Sequence, residues 1–188
     1  MKKFIAALLA LTMLLPLTAL ADAWTDPAEE TIVAVGEMTF PMPAEWTMKE
    51  AAEEEGLEEG MTGIYFFDGV DEESSETVIA MMVMDLGEDM EAYASLLFEM
   101  LMSGFIDPET TEVLGEAETL EVDGAPAMRC TIEEDGVAGE IVMIIKGSAC
   151  YCFMAGAENA EVAEGFLPYF DTMVERAAFD AEALAPAA

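Results

Sequence analysis

The chain contains no histidine. That removes the one side chain whose ordinary pKa lies near neutrality, and with it the Ser-His-Asp, Cys-His and His-ligated zinc arrangements. Cations are almost as scarce: six Lys and Arg stand against 40 Asp and Glu, a formal charge of −34. Phosphate backbones repel such a surface and counterion release needs basic side chains, so nucleic acid and anionic lipid headgroups are poor partners. Cationic proteins, cell-wall polycations and divalent ions remain open. The glycine-rich nucleotide motifs are missing, and none of Ser74, Ser75, Ser95, Ser103 and Ser148 sits in G-x-S-x-G or S-x-x-K. Cysteine is limited to Cys130, Cys150 and Cys152, without C-x-x-C spacing.

What the chain has is apolar material. A charge of this size usually accompanies disorder, but 54% hydrophobic residues with two Trp, four Tyr and ten Phe can offset the ordering entropy of a 188-residue chain. One ordinary domain plus a leader is the expected organisation.

The leader occupies residues 1–21. Met1-Lys2-Lys3 is a positive start, Phe4 to Leu20 is apolar with Pro16 inside it, and Ala19-Leu20-Ala21 or Ala21-Asp22-Ala23 offers a small-x-small cleavage site. This is the pattern of a secretory signal peptide, with cleavage after 21 or 23. The alternative is a membrane anchor, which Pro16 and the tandem sites disfavour. No cysteine lies near the site, so lipid-anchored maturation is not expected. The mature chain keeps only Lys49, Arg129, Lys146 and Arg176 as cations and has no second run long enough to cross a bilayer. An exported, extracytoplasmic product follows.

Residues 22–30 are polar and read as a mobile lead-in, 31–179 as a single domain, and 180–188 as a frayed Ala-rich tail. Short apolar runs at Thr31–Val35 and Met38–Met42 precede Pro43-Ala44-Glu45-Trp46. Residues 50–60 form a charged connection with at most a helical turn. Gly60–Asp68 reads as a strand, and Thr77–Leu86, almost continuously apolar, as a strand covered on both faces.

Asp85 to Asp89 supplies cap chemistry for a helix whose Tyr93, Leu96, Leu97, Met100 and Leu101 recur at helical spacing as one buried face; Gly104 and Asp107-Pro108 end it. After Thr110–Leu114 comes a meander of Glu116–Val122, Ala127–Glu133, Val137–Lys146 and Ala149–Ala155. Its breaks fall at Asp123-Gly124, Asp135-Gly136 and Gly147-Ser148. The closing helix, about 159–177, places Val162, Phe166, Tyr169, Phe170 and Met173 on one face, and Pro168 implies a kink or two pieces.

Two-residue loops at Asp135-Gly136 and Gly147-Ser148 set a register in which Cys130 faces Ile141 and Ile141 faces Met154, while Met128 faces Met143 and Met143 faces Cys152. Cys130, Cys150 and Cys152 then share a sheet face with Met128, Met143 and Met154. Cys130 lies two strands, about 9–10 Å, from the other two cysteines. Cys150 and Cys152, successive on one side of a strand, lack the convergence a disulfide needs, so free thiols are expected. Soft sulfur suits Cu(I) or zinc, but Met and Cys also serve as plain core residues, and with 16 Met in the chain the core reading is preferred.

The acidic stretch carries Glu50, Glu53, Glu54, Glu55, Glu58, Glu59, Asp68, Asp71, Glu72, Glu73 and Glu76 with no basic residue among the later ones. Asp68, Asp71, Glu72 and Glu73 offer oxygen ligands for weak Ca²⁺ binding, yet lack EF-hand spacing; a solvated repelling surface is the preferred reading. Tyr65, Phe66 and Phe67 must point to both sheet faces, and Tyr151 and Phe153 to the face opposite the cysteines, as packing residues.

The order of features resembles the PsbP-like family, including small exported bacterial proteins of the DcrB kind. The resemblance spans about 31–179 and is carried by Pro43-Ala44-Glu45-Trp46, Asp123-Gly124-Ala125-Pro126-Ala127, Tyr151-Cys152-Phe153 and the helix end from Phe170 to Phe179. It implies an α+β fold: an α/β/α sandwich with a mostly antiparallel sheet of about six to eight strands and two main helices. It also implies a non-enzymatic role, since chloroplast relatives are extrinsic subunits of the photosystem oxygen-evolving complex and a nuclear relative binds a small GTPase. The acidity and missing histidine depart from the family, so no metal-related residues carry over and photosynthesis is not implied. The expected function is a secreted binding or accessory domain for an unknown protein or cell-envelope partner. No catalytic, cofactor-binding or metal residue is assigned; the alternative is a cation-binding protein using loop 68–76 or the sulfur-rich face.

Overall fold

A computed structural model describes residues 29–51, 61–69, 74–106 and 110–179. The leader, nearly all of the lead-in, the 52–60 connection, Asp71, Glu72, Glu73, the Asp107-Pro108 break and the 180–188 tail lie outside the described residues. Strands β1 (Glu30–Val35) and β2 (Met38–Pro43) form a separate antiparallel hairpin. A second sheet contains β3 (Thr47–Glu50), β4 (Met61–Phe67), β5 (Thr77–Asp85), β6 (Thr111–Val122), β7 (Ala125–Glu134), β8 (Val137–Lys146) and β9 (Ala149–Ala157). Its order is β3-β4-β5-β9-β8-β7-β6, with every neighbouring pair antiparallel. Helix α1 (Ala94–Phe105), entered through a 3-10 turn at Glu91–Tyr93, packs on one face of this sheet. Helix α2 (Ala160–Glu175) and the β1–β2 hairpin pack on the other.

The turn chemistry explains the meander. Asp123 and Gly124, and Asp135 and Gly136, all adopt positive φ, the geometry that closes a two-residue hairpin with the twist of its strands. Register follows from them: Cys130 pairs with Ile141, Met128 with Met143, Ile141 with Met154 and Met143 with Cys152, as the loop residues predict. Thr110–Leu114 and Glu116–Val122 are not two segments but one strand, β6, which absorbs its irregularity as a register shift between Leu114 and Glu118, with Gly115 at φ 80°. Strand β5 is buried on both faces through Met82, as its continuous apolar run requires.

The two faces differ in composition. Against α2 and the hairpin lie rings: Phe153 meets Phe40 edge-on at 5.4 Å and Phe170 at 6.3 Å, and Trp46 stacks on Phe166 at 6.0 Å. Fully burying each such side chain contributes about 1.5–3 kcal/mol. Against α1 lie Met82, Met84, Met143, Met154 and the three cysteines, with Tyr65 and Phe67 stacked at 6.0 Å; α1 itself adds Met102. The run Tyr65-Phe66-Phe67 thus divides between the faces, and Tyr151 and Phe153 stand opposite the cysteines.

Helix α2 starts at Asn159, whose Oδ1 accepts from the N–H groups of Glu161 and Val162 at 3.0 Å each. Val162, Phe166, Tyr169, Phe170 and Met173 are all buried. Pro168 does not divide the helix: it stands on the exposed side, where water can satisfy the Glu164 carbonyl it leaves unbonded, and the Thr172 hydroxyl donates to the Pro168 carbonyl at 3.0 Å. Beyond α2, Ala178 exchanges two backbone hydrogen bonds with Thr39, and Phe179 packs edge-on to Tyr151 at 5.4 Å. Among the described residues no helix is long and apolar enough to cross a membrane.

Candidate functional site

The sulfur-rich face forms as the register predicts. Cys130, Cys150 and Cys152 are free thiols and buried. Burial pushes the Cys150 thiol up to about 12, Cys152 well above its ordinary value, and Cys130 upward with help from the Glu140 charge. Such thiols are core hydrophobes, the opposite of the electropositive, half-exposed setting that makes a cysteine reactive. Among the described residues no three Cys, Asp or Glu side chains converge to hold a metal ion.

The acidic loop uses its first carboxylate for structure. Asp68 accepts from the Glu76 N–H at 2.9 Å, the Thr77 N–H at 3.1 Å and the Thr77 hydroxyl at 2.9 Å, tying the loop to the start of β5. Burial still raises its pKa, outweighing those donors. Asp71, Glu72 and Glu73 lie outside the described residues. Ser75 is likewise structural, its Oγ accepting from the Gly69 N–H at 3.2 Å, while Ser95, Ser103 and Ser148 are exposed on the surface.

Helix α1 corrects the sequence expectation. Its buried residues are Ala94, Phe98, Met102 and Phe105; Leu97 and Leu101 are half-buried, and Tyr93, Leu96 and Met100 are exposed at 60%, 59% and 61%. The apolar arc of this helix is wider than the sheet beneath it can cover, so small and aromatic residues dock while one flank, at i, i+3 and i+7, is left facing solvent. The expected Asp cap is also displaced: Asp89 Oδ1 accepts from the Glu91 N–H at 3.1 Å and so serves the 3-10 turn, while α1 begins at Ala94 with Tyr93 at its N-cap and no side-chain cap. Glu91 is spent on the Gly147 N–H at 2.9 Å and on Lys146 at 3.6 Å.

A charged group that the sequence does not single out lies under α2. Arg129 Nε is 3.2 Å from Glu140 Oε1 and its Nη2 is 3.1 Å from Asp171 Oδ1; neither nitrogen is aligned for a formal hydrogen bond. Glu118 stands 3.8 Å from Nη1. Glu140 is 5% exposed. Burial, then the charge and hydrogen bond of Asp171, push its pKa up to about 8, with Arg129 opposing. The only sequence cue is a single acid set in the apolar run of β8. This group joins three strands to α2, and Arg129 already occupies its centre.

The chain matches no family model and no curated protein. Among solved structures it is similar to the cyanobacterial PsbP, CyanoP, of Synechocystis sp. PCC 6803, with a TM-score of 0.54 and 12% identity over 86% of this chain and 98% of that one. Weaker likenesses are to a Bacteroides thetaiotaomicron protein (TM-score 0.41, 11% identity, 74% of this chain and 47% of that one) and to a Pseudomonas aeruginosa protein of unknown function (TM-score 0.40, 10% identity, 79% and 95%). With a seven-stranded antiparallel sheet between two helices and a structural likeness that covers 98% of CyanoP, the chain has a PsbP-like α+β fold.

Proposed function

We propose that this chain is an exported, non-enzymatic accessory domain that works by docking its surface on a protein or cell-envelope partner. The observation that carries this reading is the exposed flank of Tyr93, Leu96 and Met100 along the start of α1, three large apolar side chains each about 60% exposed on a strongly acidic chain. The PsbP-like fold supports it, because the family the sequence resembles includes extrinsic subunits that act by assembly. The leader at 1–21 supports export.

The test is affinity capture from the native envelope fraction with two baits, the wild-type protein and a Leu96→Gln, Met100→Gln variant. A partner held by the first and lost from the second is expected. Identical capture by both baits, or turnover of a substrate by the purified protein, overturns the reading.

A further inference from the structure

Helix α1 is nearly uncharged. Its twelve residues hold one charge, Glu99, whereas the sixteen residues of α2 hold Glu161, Glu164, Asp171 and Glu175, with the three glutamates exposed. A chain with 40 acids has left all but one carboxylate off this helix, and Leu96 and Met100 within it, with Tyr93 at its N-cap, are each about 60% exposed. The flank runs about 10 Å, two helical turns from Tyr93 to Met100. Around it the charge is of one sign: exposed Glu88 and Asp89 at its start, Glu99 beside it, and no Lys or Arg anywhere from Leu86 to Ile106. Lys146, at the end of β8, is held by Glu91 at 3.6 Å.

An uncharged apolar centre inside a charged rim is the anatomy of a docking surface, and the sign of the rim selects the occupant. A second copy of this chain would bring two bodies of formal charge −34 together, and an anionic membrane would repel the same rim. From the accessory-domain reading above, we infer that the α1 flank receives a cationic amphipathic helix of a partner protein, apolar residues at i, i+3 or i+4 and i+7 lying on Tyr93, Leu96 and Met100 and Lys or Arg reaching Glu88, Asp89 and Glu99. Paired apolar flanks supply affinity, while the acidic rim supplies orientation and fast encounter.

The probe is a synthetic peptide of leucine and lysine with its leucines at helical spacing, set against a peptide of the same composition whose order destroys that spacing. Calorimetric titration of the purified protein near physiological salt is expected to show at least about tenfold tighter binding of the periodic peptide. Leu96→Gln with Met100→Gln leaves the net charge unchanged, and is expected to erase that preference without moving the thermal midpoint. Glu88→Gln with Glu99→Gln should weaken binding and flatten its salt dependence. Equal binding of the two peptides, or an unchanged preference in the Leu96, Met100 variant, would mean simple charge attraction and overturn the inference. A dimer in sedimentation that needs Leu96 and Met100 would overturn it in favour of a second copy. If the peptides fail while an envelope partner still depends on Leu96 and Met100, docking at α1 stands and only the cationic helix is lost.

Discussion

Glu140 on β8 and Asp171 on α2 close on the same guanidinium across the boundary between sheet and helix, Glu140 3.2 Å from Arg129 Nε and Asp171 3.1 Å from its Nη2. Burial and the Asp171 charge hold the Glu140 pKa up at about 8, while an unfolded chain releases that proton near the ordinary glutamate value. The folded state therefore binds the extra proton between those limits. Its contribution to stability is complete below the unfolded value, is lost as pH rises, and levels off above about 8. The thermal midpoint should fall between about pH 6 and 8, where ordinary carboxylates are already ionised, and Glu140→Gln should flatten that fall. Parallel slopes in the two proteins would show that Glu140 is not the titrating group.

Arg129 is the cation that makes this pair tolerable. Arg129→Met leaves Glu140 and Asp171 facing each other under α2. Removing one partner of a fully buried pair costs about 3–5 kcal/mol, and because the Asp171 side chain is about a third exposed we expect about 2 kcal/mol. Urea unfolding at pH 9, where Glu140 is ionised in the wild type, measures it, and adding Glu140→Gln to Arg129→Met should recover part of the loss. A double variant as unstable as the sum of the singles would refute the coupling.

Phe153 is fully buried between Phe40 of the hairpin and Phe170 of α2. Phe153→Ala should cost about 3–5 kcal/mol, because hairpin, central strand and helix close on it from three sides and cannot all collapse into the space left. Denaturant titration gives the number; a loss under about 1 kcal/mol would mean that the hairpin layer moves freely.

The three thiols are protected by burial and by raised pKa values. A thiol-specific chromogenic reagent at pH 8 should find almost none of them in the native protein and all three in denaturant, with Cys130, on β7 beside the edge strand and 3% exposed, the first to react on partial destabilisation. Fast native labelling of Cys150 or Cys152 would contradict their place beneath α1.

How much of this was legible depends on the range of the interaction. Strand pairing in the meander was readable because Asp135-Gly136 and Gly147-Ser148 lie inside the hairpins they close, and a two-residue loop leaves no freedom of register. The sulfur face followed from that register alone. The rotation of α1 was not readable: Tyr93, Leu96, Leu97, Met100 and Leu101 do share an apolar arc, but Ala94, Phe98, Met102 and Phe105 extend it, and the sequence carries no mark of which part the sheet covers. Continuous β6 was missed because Gly115 looks like a break and acts as an irregularity within one strand. Glu140 was hidden among 40 acids; register places it diagonal to Arg129 on one face, but only the descent of α2 brings Asp171 to them.

The short hairpins, the alternation of side chains across each strand and the apolar seam of α2 are legible in the sequence alone, since all of these are settled by neighbours a few residues apart. Which flank of α1 faces water, and which carboxylates gather on Arg129 beneath α2, are set by tertiary packing. Those outcomes depend on how a rigid sheet, a helix and a hairpin divide a limited covered area, and no local pattern of residues encodes that division.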